Sequence, residues 1–428
     1  MTVDNKRLEK NLHIKEKGSE TRKRHKRMQC KVMTFKVVYN HLNKIQLEQL
    51  NGQFREAKWV YNSMLSQSEN GKDIFSITYK DFETITHRDK NGNDVTSKLN
   101  YLSKRALQSV ISGLKTNICN LAKAKAKGLE VGKLTYVGDY RSIDLAQYGI
   151  SYKIVGRNRI KVNKIKKPLY VRGLDQLYKL EDRYELANAK LLRKADGFYI
   201  AVTIYCDKKK EEKGAEKPLL GIDMGCQTTL TLSDGRKLNV QVKETERLKR
   251  LQRSLARCKK HSNNHRKIHR KLKCEYGHMS NKRNDSANKI LHMLSNYKIV
   301  MQDEQLANWQ KTGHGDKVAH SVLGRVKDGL MSRKDTYVLS KWVPTTKLCT
   351  CCGTSVEMPL KDREFVCPVC GHKEDRDIHA AKNMLWFFGK RKTLCVERTE
   401  YNREEFLREV RVACEGWSHE THKSLVCG

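Results

Sequence analysis

The sequence predicts a multidomain chain of mixed α+β and α/β architecture: a small β-barrel with a helical insertion, then an α/β domain with a metal-binding ribbon set into it. Three observations predict it. Residues 344–373 hold two Cys-x-x-Cys-Gly knuckles, Cys349/Cys352/Gly353 and Cys367/Cys370/Gly371. Short β-prone runs separated by turn signals fill residues 131–206. After a charged linker, the apolar strand from Leu219 ends in Asp223-Met224-Gly225, runs into Thr228–Leu232 and turns at Ser233-Asp234-Gly235 into another strand.

The knuckles carry the most specific chemistry. Each supplies two thiolates from one tight turn, and a tetrahedral Zn²⁺ needs four. Cys349, Cys352, Cys367 and Cys370 are therefore the expected structural zinc ligands, and residues 344–373 the expected zinc ribbon. Cys351 does not fit the frame of the second knuckle and is read as a bystander. Four buried or disulfide-bonded cysteines are the alternative, but the fourteen cysteines of the chain are otherwise scattered, as in a reducing compartment.

Charge narrows the partner. The 86 Lys and Arg against 48 Asp and Glu give a formal charge of +38 over 428 residues. Such an excess points to a polyanion. The basic residues are spread along most of the chain, which suits nucleic acid better than a membrane surface. No apolar run approaches the ~20 residues of a membrane span, and the first residues are charged where a signal peptide is apolar. The expected protein is soluble and intracellular.

In chain order, residues 1–31 are polar and basic, peaking at Arg22–Arg27, and are expected to form a disordered arm. Residues 32–43 hold a first barrel strand, Val32–Tyr39. Residues 44–130 are expected to be a helical insertion. Its first helix carries Leu47, Leu50, Phe54, Ala57, Tyr61 and Met64 on one face, and its second, Leu102–Lys127, carries Leu107, Val110, Leu114, Ile118 and Leu121. The barrel resumes over 131–206 with strands at Leu134–Val137, Tyr152–Val155, Arg159–Val162, Leu169–Val171 and Phe198–Tyr205. Residues 207–217 form the linker. Residues 218–343 form the α/β domain, with a very basic helical hairpin over 243–296, a strand at Tyr297–Asp303, a helix at Ala319–Arg333 and a strand at Tyr337–Ser340. The segment 374–388 returns to that domain as a helix, and the tail 389–428, with Cys395, Cys414 and Cys427, has no assigned role.

A meander whose first strand carries an aspartate is how an RNase H-like fold opens, although Asp-x-Gly alone also fits a plain turn. Asp223, Glu304 and Asp377 each lie at the end of a strand or the start of a helix, in three separate segments. Phosphodiester cleavage with two Mg²⁺ needs carboxylates converging on ions ~4 Å apart, and Mg²⁺ takes few ligands from protein. These three are the expected catalytic residues and Mg²⁺ ligands. Asp303 and Asp375 rank second, as capping or supporting groups.

Gly221–Gly225 (GIDMG), Met301–Leu306 (MQDEQL), Pro344–Gly353 (PTTKLCTCCG) and Cys367–Asn383 (CPVCGHKEDRDIHAAKN) together resemble TnpB, the insertion-sequence-encoded nuclease related to the type V CRISPR effectors. The resemblance spans Leu219–Phe388. It implies an RNA-guided endonuclease cutting double-stranded DNA beside a short flanking motif. It further implies a RuvC-type domain with Asp223, Glu304 and Asp377 as its carboxylates, a wedge barrel, a helical recognition insertion, and a guide RNA derived from the mobile element. It places the protein in the cytoplasm of a prokaryotic cell, at the nucleoid. Two positions depart from the pattern: Gln305 stands where Asp is common and His379 where Asn is common. Rival readings are a nuclease-inactive RNA-guided repressor, a type V CRISPR effector, a strand-transfer transposase and a basic zinc-ribbon protein of translation. All three carboxylates argue against the first; their Asp, Glu, Asp order and the ribbon between the second and third argue against the transposase. The translation reading leaves the triad unexplained.

Overall fold

A computed structural model describes residues 3–88, 92–180, 184–207, 217–311, 315–359 and 361–390. The chain divides into two compact units after Glu212. The linker expected at 207–217 and the tail expected at 389–428 fall almost wholly outside the described residues, Cys395, Cys414 and Cys427 included.

The first unit runs α1 (Val3–Arg27), β1 (Gln29–Val37), α2 (Lys44–Glu69), β2 (Thr84–Arg88), β3 (Asp94–Lys98), α3 (Lys104–Ala126), β4 (Ser142–Leu145), β5 (Tyr152–Gly156), β6 (Arg159–Val162), β7 (Leu169–Arg172), α4 (Asp175–Tyr178), β8 (Tyr184–Lys194) and β9 (Gly197–Cys206). Seven strands form one antiparallel sheet in the order β4-β8-β9-β1-β7-β6-β5, nearly closed into a barrel. Strand β1 sits in its middle, pairing with β9 from Gln29↔Cys206 to Lys36↔Tyr199 and with β7 at Lys36↔Arg172 and Val37↔Val171. The helices α2 and α3 are thus inserted between the first strand of the sheet and the rest.

Helix α2 starts where Asn43 accepts the N–H of Gln46 at 2.7 Å and the Gln46 side chain accepts the N–H of Asn43 at 3.1 Å, a reciprocal cap. Its stripe Leu50, Phe54, Ala57, Val60 and Met64 is fully buried, as the 3.6-residue period requires. Leu107, Val110, Ile111 and Leu114 of α3 enter the same core.

Four expectations are corrected. Residues 3–27 form helix α1 and not a disordered arm. Lys, Arg and Glu are good helix formers, and the last turn is anchored: Arg24 Nε and His25 Nε2 lie 2.7 and 2.9 Å from Glu185, and the His25 ring stacks on Tyr205 at 3.7 Å. Leu134–Val137 is not a strand; Leu134 and Val137 pack against the core from an irregular segment, tied at Val137 by both amide atoms of Asn62. The insertion also contains the hairpin β2–β3 and so is not wholly helical. Finally, Ala319–Arg333 is not one helix but parts of two, broken at Ser321–Val322.

The second unit runs β10 (Leu219–Met224), β11 (Leu230–Leu232), β12 (Lys237–Leu238), α5 (Glu246–Arg257), α6 (Asn263–Met293), β13 (Lys298–Gln302), α7 (Leu306–Lys311), α8 (Gly315–His320), α9 (Leu323–Met331), β14 (Thr336–Leu339), β15 (Glu364–Val366), β16 (Lys373–Asp375) and α10 (Arg376–Lys390). Its sheet has the order β12-β11-β10-β13-β14, with β10, β13 and β14 parallel and β11 and β12 antiparallel to their neighbours. Alternation along the strands sorts the two faces. Leu220, Ile222, Met224, Ile299 and Met301 pack on one face with Ala287 and Ile290 of α6 and Val326 and Leu330 of α9. Val300 and Leu339 pack on the other with Met384, Phe387 and Phe388 of α10.

Gly221 lies on the α10 face. A Cβ built there would sit 2.0 Å from the carbonyl oxygen of Ala381, so strand and helix touch backbone to backbone. Buried Ala380 and Ala381 permit that approach. No helix among the described residues is long and apolar enough to cross a membrane.

Candidate functional site

Period-2 alternation puts Asp223 on the same face as Gly221, under α10. It is the penultimate residue of β10. Parallel pairing of β10 with β13, in register at Ile222↔Met301, brings the carboxyl ends of both strands to one edge, and Glu304 follows β13 by two residues. Asp377 stands in the first turn of α10, the helix clamped on Gly221. Three segments far apart in sequence thus deliver one carboxylate each to the same end of the sheet.

Electrostatics shows their proximity. Burial, then the charge of Asp377, then that of Glu304 push the Asp223 carboxyl up to about 8, with Arg376 opposing. Glu304 is also raised, by burial and by Asp303, with Lys327 opposing. Lys327 Nζ donates to the Glu304 carbonyl at 2.6 Å and to Asp303 at 2.8 Å, which fixes the turn after β13. The Gln302 side chain fixes the other flank: its amide donates to Ser340 O and Val343 O at 3.0 and 2.8 Å, and its oxygen accepts from Thr345 at 3.1 Å.

Acidic oxygens only partly countered by Lys327 and Arg376 are of the donor type that suits Mg²⁺. The three carboxylates do not form one compact cluster: among the described residues, the groups whose ligand atoms all lie within 4.8 Å are the four ribbon cysteines and His372, Glu374 and His379. Asp375 accepts the N–H groups of Asp377 and Ile378 at 3.1 and 3.2 Å and pairs with Lys237 at 2.6 Å, so it caps α10. Burial raises its carboxyl, but Lys237 and those N–H groups outweigh burial and hold it below the usual range.

The knuckles repeat one geometry. In each, the glycine N–H donates to the carbonyl of the first cysteine, Gly353 to Cys349 at 2.8 Å and Gly371 to Cys367 at 3.0 Å. In each, the first cysteine N–H reaches the residue after the glycine, Thr354 at 2.9 Å and His372 at 2.8 Å. Both glycines have positive φ, 76° and 73°. The turns bring Cys349 Sγ within 3.6 Å of Cys370 Sγ, and Cys352 Sγ within 3.5 Å of Cys367 Sγ. Sulfurs around one tetrahedral Zn²⁺ sit about 3.8 Å apart, so the spacing fits. Burial raises the Cys349 thiol; at Cys352 burial is outweighed by hydrogen bonds, chiefly from Thr354, and the thiol falls to about 6. Cys351 stands outside the group.

His379, one of the two departures, is 1 % exposed. Its ring stacks on Phe365 at 3.8 Å, and its Nε2 donates to Leu348 O at 2.8 Å, joining α10 to the ribbon. Asn383 adds donors to Thr345 O and Leu348 O at 2.6 and 2.8 Å. Gln305 accepts from Asn308 at 2.8 Å in the turn after Glu304.

Two stretches match known families. Residues 201–307, which include Asp223 and Glu304, match a family described as "Probable transposase", and residues 333–384, which include the four cysteines and Asp377, match "Cas12f1-like, TNB domain". Two curated relatives are a "Putative RNA-guided DNA endonuclease" of Streptomyces pristinaespiralis, 30% identical over 199 residues, and a "Putative RNA-guided DNA endonuclease InsQ" of Escherichia coli, 32% identical over 195. The chain is TnpB-like. The matches cover 43% and 39% of this chain and 48% of each relative, so the chain spans about half the length of the curated TnpB-like relatives it matches. A solved complex of Cas12f1 with sgRNA and target DNA aligns at TM-score 0.44 and 10% identity over 84% of this chain and 99% of that one, too distant to carry weight.

Sequence reasoning singled out the three carboxylates and the four cysteines; it missed Lys327, Arg376 and Gln302. The spacing of a lysine 24 residues beyond Asp303 holds no local signal, because α9 delivers it through the fold.

Proposed function

We propose that the chain is an RNA-guided DNA endonuclease that cleaves double-stranded DNA beside a short flanking motif, by metal-dependent hydrolysis in an RNase H-like, RuvC-type site. The observation that carries the reading is the electrostatic convergence of Asp223, Glu304 and Asp377 at one end of the β10–β13 sheet. The names of the curated relatives support the substrate and the guide. Asp223, Glu304 and Asp377 would hold Mg²⁺, which supplies water activation and neutralises charge at the scissile phosphate. Lys327 sets the Glu304 turn, Asp375 sets the first turn of α10, and Gly221 sets the depth at which that helix lies on the strand.

The ribbon cysteines would hold one structural Zn²⁺, joining β15–β16 to the loop before Cys349. The barrel and its insertion would grip guide RNA and target DNA by their backbones, with base pairing supplying sequence. The basic last turn of α1 and the α5–α6 hairpin would add phosphate contacts. Such a substrate places the protein in the cytoplasm, at the nucleoid.

The test is to sequence the RNA that copurifies with the protein, then to supply duplex DNA matching its variable end. The expected RNA has a fixed 5′ structure and a variable 3′ end, and it directs Mg²⁺-dependent cutting. A bulk RNA mixture with no guided cleavage contradicts the reading.

A further inference from the structure

Where the ribbon meets the helix that carries Asp377, a second set of metal-binding side chains comes together. We propose that His372, Glu374 and His379 form a site for Zn²⁺ or another borderline divalent cation, separate from the four cysteines, that clasps β16 to the first turns of α10.

Leu348 O can only accept, so His379 Nε2, at 2.8 Å, carries the hydrogen; Asn383 Nδ2, 3.0 Å from the same nitrogen, has its two hydrogens directed to Thr345 O and Leu348 O. Nδ1 is turned toward Glu374 Oε2, 3.6 Å away, and the same oxygen lies 3.6 Å from His372 Nε2. These separations are too long for hydrogen bonds. They are close to the about 3.3 Å between two N or O ligands of one tetrahedral ion, and all three ligand atoms lie within 4.8 Å of one another. The other carboxylate oxygen, Oε1, is held by Lys382 at 2.5 Å, which leaves Oε2 aimed at the imidazoles.

The ligands are also pre-set. His379 is buried and stacked on Phe365, Glu374 lies on β16 in register with Phe365, and the His372 carbonyl is fixed by the Cys367 N–H. An imidazole whose second nitrogen donates to a backbone carbonyl is the arrangement that orients metal-binding histidines. Two imidazoles with one carboxylate suit Zn²⁺, Co²⁺, Ni²⁺ or Cu²⁺ and not Mg²⁺ or Ca²⁺. His372 is 29% exposed, so an ion can reach it from solvent.

Elemental analysis of the full chain, saturated with Zn²⁺ and freed of loose metal by gel filtration, tests this. The expected content is two zinc ions per chain, falling to one in His379→Asn and one in His372→Ala. Loaded with Co²⁺, both variants keep the thiolate-to-metal absorption of the cysteine site while losing the second ion. One zinc in the unchanged protein, or two in His372→Ala, overturns the proposal. Should His379→Asn fail to fold, His372→Ala, on an outer turn, still decides.

Discussion

Asp223 shows how much a single side chain is asked to tolerate. Its carboxyl is held up at about 8 by burial and by the charges of Asp377 and Glu304, far above the ordinary ~3.9 of an aspartate. The folded state therefore binds a proton there that the unfolded chain has already released, so stability falls as pH rises between about 4 and 8 and levels off above. With zinc retained and no Mg²⁺ present, thermal melts should show that decline; Asp223→Asn should flatten it. Added Mg²⁺ should raise the melting temperature of the unchanged protein most at the upper end of the window, where no proton competes. Asp375 behaves differently. Asp375→Ala removes two capping hydrogen bonds, about 1 kcal/mol, and should slow cleavage only mildly; a dead Asp375→Ala with an active Asp377→Ala would move the ligand assignment by two residues. At this scale the sequence was informative because a carboxylate at the end of a strand is visible as a pattern. Lys327 and Arg376, which oppose the carboxylate charge, were not visible, because their positions depend on how α9 and α10 pack.

At the scale of elements, contact between α10 and β10 decides whether the carboxylates meet. Gly221→Ala would drive a methyl into the Ala381 carbonyl; strand and helix must part, at about 1–3 kcal/mol. Cleavage should fall further than stability, since Asp377 rides on the displaced helix, and urea melts beside cleavage rates check this. Cys352→Ser with Cys367→Ser should abolish zinc at the cysteine site and release the ribbon, a loss read by elemental analysis and proteolysis. Elements with strong periodicity were legible, α2 from its apolar stripe and α3 to within two residues of its ends. Strand β8 was not: Leu186–Lys194 is rich in Ala, Leu and Lys, which favour helix, and only its pairing with β9 and β4 makes it a strand. Helix α1 was misread for the complementary reason. Its polarity hid a good helix former that docks through Arg24 and His25 onto Glu185 and Tyr205.

Over the whole molecule, the charge of +38 is expected to set the strength and salt dependence of the proposed nucleic-acid binding. Affinity for nonspecific duplex DNA should fall with salt at about −0.9 log units per neutralised phosphate. Removing residues 1–28 should lower that slope slightly and leave guided cutting intact; titrations between 50 and 200 mM salt, roughly the range over which such contacts are lost, measure it. In the proposed function, binding would rest on basic side chains and base pairing, and cutting on the three carboxylates. The most direct measurement is cleavage and target binding, side by side, in RNA-loaded Asp223→Ala, Glu304→Ala and Asp377→Ala with Mg²⁺. Each variant should lose cutting while binding RNA and target within a few fold of the unchanged protein. Normal cutting by all three would contradict the proposed function.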